Sequence, residues 1–163
     1  MINESYIIRP AVDADSSEII KLIFDIWQNE YHFQVHLQDY PDLQFIEEYY
    51  THQGGGFFVA LVEDEIVSTI AYEKLNEQIF ALKRMFVRQG FRGQGIAQKL
   101  LDTLLKNVPA PATFYLSTKE DLAEAAKKFY LKNGFSIINP EQLPSEFPFF
   151  YEDDLFMKKD LGF

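Results

Sequence analysis

The stretch from residue 85 to residue 105, MFVRQGFRGQGIAQKLLDTLL, constrains the fold more than any other part of the chain. It passes without a break from a strand-like run through a glycine cluster into a helix-like run. Gly90, Gly93 and Gly95 fall within six residues, and Arg92 lies among them. Backbone N–H groups at a helix N-terminus attract anions, and glycines let a ligand approach the main chain closely. The sequence therefore predicts a strand–turn–helix unit that can hold a phosphate group.

The rest of the pattern predicts one domain of mixed α/β type. A chain of 163 residues fits the prior of roughly 100–200 residues per domain, so we expect residues 1–163 to form a single domain. Apolar residues at helical spacing predict helices at 13–31, 41–50, 94–108 and 120–135. Strand-like runs lie at 6–11, 57–64, 66–75, 79–87, 113–118, 135–140 and 154–161. Strands and helices mix without strict alternation, which favours one mixed sheet with helices on both faces.

Composition excludes several kinds of site and partner. The chain has no cysteine, so disulfides, thiolate metal sites and a cysteine nucleophile are excluded. The N-terminal sequence MINESYIIRPA lacks the basic and apolar segments of a signal peptide, and no apolar run approaches the ~20 residues of a membrane span. We therefore expect a cytoplasmic protein. The net charge of −10 disfavours nucleic acid and anionic membranes as partners.

A metal site is not expected either. His32 and His36 are four residues apart, a spacing that can bind a metal on a helix face. The sequence offers no obvious third ligand and no H-E-x-x-H pattern. We predict that no metal is bound.

Two familiar phosphate-binding templates do not match the glycine turn. A P-loop requires Lys and then Ser or Thr after its last glycine, but Ile96 and Ala97 stand there. A dinucleotide-binding turn requires a third glycine where the chain has Gln98, and an acidic residue about 20 positions later, where the sequence reads TFYLS. A nucleotide-dependent kinase and a dinucleotide-binding enzyme are therefore disfavoured.

A third template does match. Residues 92–97, RGQGIA, follow the pattern of Arg or Gln, two residues, Gly, one residue, and Gly or Ala, which resembles the coenzyme A signature of the GNAT superfamily of N-acetyltransferases. The run AEAAKKFYLKNGF (123–135) resembles the second landmark of that family. The resemblance covers nearly the full length. It implies a GNAT-like fold, with a mostly antiparallel sheet of six to seven strands and a V-shaped opening between the strands at 79–87 and 113–118.

The resemblance also implies acetyl-CoA as cosubstrate, without a metal, and a set of site residues. Backbone amides of the turn would bind the pyrophosphate, and the strand end before it would pair with the pantetheine arm. A backbone N–H near Phe86 or Val87 would stabilise the oxyanion, and the Tyr130 phenol would serve the departing thiolate as an acid. The implied cofactor-binding residues are Met85, Phe86, Val87, Arg92, Gly93, Gln94, Gly95, Ile96, Ala97 and Tyr130.

The chain departs from the family pattern at two places. Ala123 stands where many members carry an Asn, and the strand at 79–87 has Lys83 and Arg84 where some members have a catalytic Glu. The general base therefore stays open between Glu73 on the neighbouring strand and a water relay. Two hypotheses follow: an acetyltransferase acting on a primary amine of a small molecule or protein by direct attack on the thioester, and a non-catalytic CoA-binding sensor.

The acceptor is less constrained. Residues 30–50 and 143–154 are rich in acidic and aromatic side chains, which would suit a cationic or aromatic amine. They would equally suit ordinary surface loops with an apolar underside. The resemblance is also compatible with a homodimer.

Overall fold

The computed structural model of the chain describes residues 5–122, 124–148 and 152–162. Within these ranges the strands are β1 (Tyr6–Pro10), β2 (Gly56–Val62), β3 (Glu65–Lys74), β4 (Ile79–Val87), β5 (Ala112–Thr118), β6 (Ser136–Ile138) and β7 (Leu155–Leu161). The α-helices in the same ranges are α1 (Ser16–Asn29), α2 (Pro41–Gln44), α3 (Ile46–Tyr49), α4 (Ile96–Lys106) and α5 (Glu124–Lys132). Short 3₁₀ turns precede α1 and α5, where the sequence predicts longer helices.

The seven strands form one sheet in the order β1-β2-β3-β4-β5-β7-β6. The pairs β1–β2, β2–β3, β5–β7 and β6–β7 are antiparallel, and β4–β5 is parallel. The mixed, mostly antiparallel sheet that the sequence predicts is therefore confirmed. The chain divides into two compact units, Met1–Glu73 with Lys83–Asn107 and Lys74–Leu82 with Val108–Phe163.

The first unit is built on the apolar stripe of α1. Ile19, Leu22, Ile23 and Ile26 recur at helical spacing, and each is at most 5% exposed. They pack into one cluster with residues of β2 and β3. Full burial of one such side chain contributes roughly 1.5–3 kcal/mol, so this stripe anchors the helix to the sheet.

The strand-like runs at 57–64 and 66–75 form a hairpin of β2 and β3, which is also in this unit. Its strands pair from Gly56↔Tyr72 to Val62↔Glu65, which leaves Glu63 and Asp64 as the two turn residues. Both have positive φ angles, 50° and 66°. Left-handed conformations at both central residues match the right-handed twist of the strands that they connect.

The prediction of one helix at 41–50 is wrong. Phe45, with φ −130° and ψ 69°, separates α2 from α3, and each of these helices is a single turn. The Phe45 N–H donates to the Pro41 carbonyl, and the Tyr49 N–H donates to the Phe45 carbonyl. Leu43 and Ile46 are fully buried on either side of the break. Pro41 is the first residue of α2.

The second unit contains the parallel pairing and the last three strands. β4 pairs with β5 from Ile79↔Thr113 to Ala81↔Tyr115, and the rings of Phe80 and Phe114 stack there with centroids 5.3 Å apart. β7 lies between β5 and β6 and pairs with β5 over seven residues. The helix predicted at 120–135 ends slightly earlier, because α5 stops at Lys132 and Gly134 is left-handed, with φ 87°.

Candidate active site

The glycine turn lies between β4 and α4, in the first unit. Gly93 and Gly95 are left-handed, with φ angles of 74° and 85°. A Cβ atom built at either glycine would meet no heavy atom within 4 Å, so the main chain is open on this side. The first backbone bond of α4 runs from the Lys99 N–H to the Gly95 carbonyl, at 3.1 Å. The N–H groups of Ile96 and Ala97 therefore precede the helical ladder, and the turn has the geometry expected of an anion cradle.

Arg92 braces this turn from within. Its Nε donates to the Val87 carbonyl at 2.8 Å, and its two terminal nitrogens meet the Glu30 carboxylate at 2.7 and 2.9 Å. Glu30 follows the last residue of α1. The guanidinium thus ties the strand end and the first helix to the turn, and its positive charge is partly balanced by Glu30.

β4 is irregular just before the turn. Arg84 has a φ of 57°, a left-handed conformation that costs a non-glycine residue about 1–3 kcal/mol. The neighbouring strand supports this segment with side chains: the Ser68 hydroxyl donates to the Phe86 carbonyl and the Thr69 hydroxyl to the Arg84 carbonyl, each at 2.7 Å. Both hydroxyl residues are fully buried. The irregular segment is therefore held by specific hydrogen bonds.

The Arg84 side chain is fixed on three sides. Its Nε and one terminal nitrogen donate to the two carboxylate oxygens of Asp42 at 3.0 and 3.1 Å. Its guanidinium carbon lies 5.6 Å from the ring centroids of both Trp27 and Tyr40. Asp42 also accepts the Tyr50 hydroxyl at 2.6 Å. This arrangement is a buried, bidentate ion pair enclosed by aromatic rings.

The environment shifts the pKa of Asp42 in a definite direction. Burial by itself would raise the pKa of this carboxyl group. The charge of Arg84 and the hydrogen bonds from Arg84 and Tyr50 oppose burial and hold the pKa below its usual range. Asp42 is therefore an ionised partner for Arg84 at neutral pH.

Lys83 and Glu73 form a looser pair beside this cluster. The Lys83 Nζ lies 3.6 Å from Glu73 Oε1 and 5.9 Å from the Tyr50 ring centroid. Among the described residues, no hydrogen-bond partner reaches Glu73 Oε1, which is buried. Burial, followed by the positive charge of Arg84, lowers the pKa of Lys83, although Glu73 and Asp42 partly oppose this shift.

Tyr130 belongs to the second unit and lies near the end of α5. It is 6% exposed, and its ring packs edge-on against Phe129 and Phe135 at 5.5 and 5.2 Å. Burial raises the pKa of the phenol, so it stays protonated at neutral pH. Ala123, which stands where many members of the family carry an Asn, lies outside the described residues.

The structure brings most of the predicted site residues together in the first unit. Met85, Phe86 and Val87 end β4, Arg92 to Ala97 follow in the turn and the start of α4, and Glu73 is on β3. The Phe86 ring meets the Trp27 ring edge-on at 5.5 Å, which connects the strand end to α1. Tyr130 is in the other unit.

Sequence reasoning missed Ser68, Thr69 and the Asp42–Tyr50 pair. The signal for the first two was a pair of adjacent hydroxyl residues inside the apolar strand IVSTIAY. Buried hydroxyl groups need partners, so such a pair indicates a neighbouring main chain with unpaired carbonyls. Asp42 carries no local signal of this kind, because Arg84, with which it forms an ion pair, is 42 residues away.

Comparison with known families agrees with this geometry. The family model described as acetyltransferase (GNAT) family matches residues 20–135, which is most of the chain. The chain belongs to the GNAT family of acetyltransferases. No curated protein matches it. GNAT membership accounts for the glycine turn and implies acetyl transfer from an acyl-CoA.

Solved structures support the same fold over the full length. A GNAT acetyltransferase from Staphylococcus aureus Mu50 is 33% identical, with 96% of this chain and 99% of that one covered and a TM-score of 0.87. An acetyltransferase from Streptococcus agalactiae 2603 is 22% identical, with 98% and 100% covered and a TM-score of 0.88. PaiA N-acetyltransferase from Thermoplasma acidophilum, solved in complex with coenzyme A, is 15% identical, with 96% and 99% covered and a TM-score of 0.71. The last two share the fold, and the GNAT fold predicted from the sequence is confirmed.

Two further observations concern membranes and metals. No helix within the described ranges has the length and apolar character that a membrane crossing requires. In the same ranges, no group of three or more His, Cys, Asp or Glu side chains is arranged to hold a metal ion.

Proposed function

We propose that this GNAT protein transfers an acetyl group from acetyl-CoA to a primary amine of a small molecule or protein, by direct attack of the amine on the thioester. The observation that carries the proposal is the open, left-handed backbone at Gly93 and Gly95 immediately before α4. A diphosphate can approach such a backbone without meeting a side chain. A cytoplasmic location and a homodimer stay predictions.

The residues of the first unit would position the thioester. Backbone N–H groups from Gly93 to Ala97, together with the Gln94 side chain, would bind the diphosphate. Arg92 would stabilise the conformation of the turn. Met85 to Val87 would pair with the pantetheine arm. A backbone N–H at Phe86 or Val87 would donate to the oxyanion that forms during attack, and acetyl-CoA itself supplies the activated acyl group.

The amine must lose a proton before or during its attack. Glu73 is the carboxylate on the strand next to β4, and its side chain keeps 29% exposure. It would accept the proton directly, or a water relay would carry the proton to solvent. Both routes are compatible with the same acceptor position.

Tyr130 would act on the leaving group. Burial raises the pKa of the phenol further above that of a thiol, which is about 8.5 for a free cysteine. Complete proton transfer from the phenol to the thiolate would therefore be uphill. We propose that Tyr130 stabilises the thiolate by donating a hydrogen bond.

The cradle is tested by placing a carboxylate in it. The Gly95→Asp variant combines an unfavourable positive φ with repulsion of the diphosphate, so its affinity for acetyl-CoA should fall at least about tenfold. Titration calorimetry measures this. Gly90→Asp adds the same charge to the same turn without a left-handed residue and should lose less. Equal affinity in the Gly95→Asp variant and the parent would contradict the proposal.

Tyr130→Phe distinguishes an enzyme from a sensor. An enzyme should keep its acetyl-CoA affinity and lose turnover by roughly 10²–10³-fold, the usual cost of removing one hydrogen-bond donor to a developing negative charge. Thiol release from acetyl-CoA in the presence of an amine panel reports turnover, and Tyr49→Phe, at an exposed position, is the matched control. A protein that binds acetyl-CoA and acetylates no amine, with or without Tyr130, would be a sensor.

A further inference from the structure

We infer that the acceptor of this reaction carries a carboxylate next to its amine, as an amino acid does, and that Lys83 is the residue that recognises this carboxylate. The inference rests on the proposed function, because it assumes that the acceptor meets the thioester at the end of β4.

Two neighbouring cations of β4, Lys83 and Arg84, lie on the same side of the strand. Successive residues of a strand normally point to opposite faces. Arg84 hydrogen-bonds to Asp42, and Lys83 lies over the Tyr50 ring, whose hydroxyl donates to the same Asp42. Both side chains therefore lie on one side of β4. The left-handed Arg84 is what breaks the alternation, and strain of this kind is characteristic of functional sites.

These two cations differ in how firmly they are bound to their neighbours. Arg84 makes a bidentate hydrogen bond to Asp42 and lies against two aromatic rings, so its side chain is held in one position and is not available to a ligand. The nearest carboxylate oxygen to the Lys83 ammonium is 3.6 Å away, which is beyond hydrogen-bond distance. The Lys83 side chain keeps 20% exposure. Lys83 thus has three donors and room to turn them to a ligand.

Lys83 also lies close to the groups that would take part in the reaction. Lys83 is three residues before Phe86, on the same strand as the proposed oxyanion donor. The proposed base, Glu73, faces it at 3.6 Å. In an α-amino acid the amine and the carboxylate oxygens are about 3 Å apart. An amine presented to Glu73 therefore holds an adjacent carboxylate within reach of Lys83.

The charge balance favours a zwitterion over a simple anion or cation. Lys83 and Arg84 supply two positive charges, and Asp42 and Glu73 supply two negative charges. A ligand with one charge of each sign leaves this cluster balanced, whereas a diamine would place a second cation beside Lys83. A zwitterion also avoids long-range repulsion by the net charge of −10.

The experiment compares amino acids with their carboxamides, which have the same side chains and lack the negative charge. Thiol release from acetyl-CoA is measured for both series. The parent should prefer the acid by roughly 10- to 100-fold in kcat/KM, the range expected for one charge-assisted hydrogen bond. Lys83→Met should abolish the preference by raising KM for the acid, and Lys83→Arg should retain much of it. Lys21→Met, an exposed lysine on α1, is the matched control and should behave as the parent.

Two further readouts separate recognition from a structural role. The preference for the acid should decline as the pH is raised through the lowered pKa of Lys83, and should persist in Lys83→Arg, which stays charged. Calorimetry with acetyl-CoA tests the proposed function separately. If acetyl-CoA binds but no carboxylate-bearing amine is acetylated, or if Lys83→Met slows the acid and the amide equally, the inference is overturned while the assignment of the CoA site stands.

Discussion

Arg84 shows how a single residue can combine strain with burial. Its left-handed backbone is unfavourable by itself, but its side chain makes two hydrogen bonds to Asp42 and lies against two aromatic rings. The Thr69 hydroxyl holds its carbonyl. These contacts fix the conformation more tightly than an ordinary strand residue requires. The rigidity would allow the residues that follow in β4 to keep a fixed position relative to a bound thioester.

Removal of the charge of Asp42 should show how much the Asp42–Arg84 ion pair contributes to the free energy of unfolding. Asp42→Asn leaves a buried guanidinium without a counter-charge and should lower the free energy of unfolding by about 3 kcal/mol or more. Because the pKa of Asp42 is depressed in the folded state, its contribution is complete above the unfolded pKa of about 4 and is lost as the pH falls through the folded value. Urea unfolding at pH 7 and pH 3 measures the free energy of unfolding of the parent and of Asp42→Asn. The difference between the two proteins should be smaller at pH 3.

The exposed Asp39 offers a matched control on the same segment. Asp39→Asn should change the free energy of unfolding by no more than about 0.5 kcal/mol at either pH. A loss in Asp42→Asn that is as small as this would mean that the ion pair contributes nothing beyond packing.

The elements that the sequence predicted well are those with a local signal. The stripes of α1 and α4, the hairpin turn and the stop after α5 each follow from residues close in the chain. The break at Phe45 and the left-handed Arg84 have no such signal, since neither is a glycine or next to a proline. The Asp42–Arg84 pair joins residues 42 positions apart, and the Arg92–Glu30 pair joins residues 62 positions apart. Such pairs depend on packing that a local pattern does not contain.

The link between α1 and the glycine turn should influence cosubstrate binding. Glu30→Gln weakens the pair with Arg92, which is partly exposed, so we expect KM for acetyl-CoA to rise by roughly two- to fivefold with kcat unchanged. Glu48→Gln on α3 is the exposed control. Steady-state kinetics shows whether KM for acetyl-CoA rises or falls. A lower KM would show that Glu30 competes with the diphosphate for Arg92 and does not position it.

At the scale of the whole molecule, the net charge of −10 opposes the approach of an anionic cosubstrate. The Debye length falls from about 30 Å at 0.01 M salt to about 8 Å at 0.15 M, so added salt screens this repulsion. The association rate of acetyl-CoA should therefore rise over that range. Stopped-flow fluorescence of Trp27, the single tryptophan, can follow it. Acetylated pantetheine, which lacks the phosphates, should show no change. An association rate that falls with added salt would mean that the local positive potential of the glycine turn outweighs the net negative charge of the protein.

The hydroxyl groups of Ser68 and Thr69 have a consequence for evolution. Each donates a hydrogen bond to a carbonyl of β4, so a substitution by valine or alanine at either position should be accompanied by a change in the backbone of β4. Across related genes, positions 68, 69, 42 and 84 should therefore covary, whereas the glycine motif should be shared by members with quite different acceptors. In an alignment, the sequences that share the residues at these four positions should be those that share the same acceptor pocket.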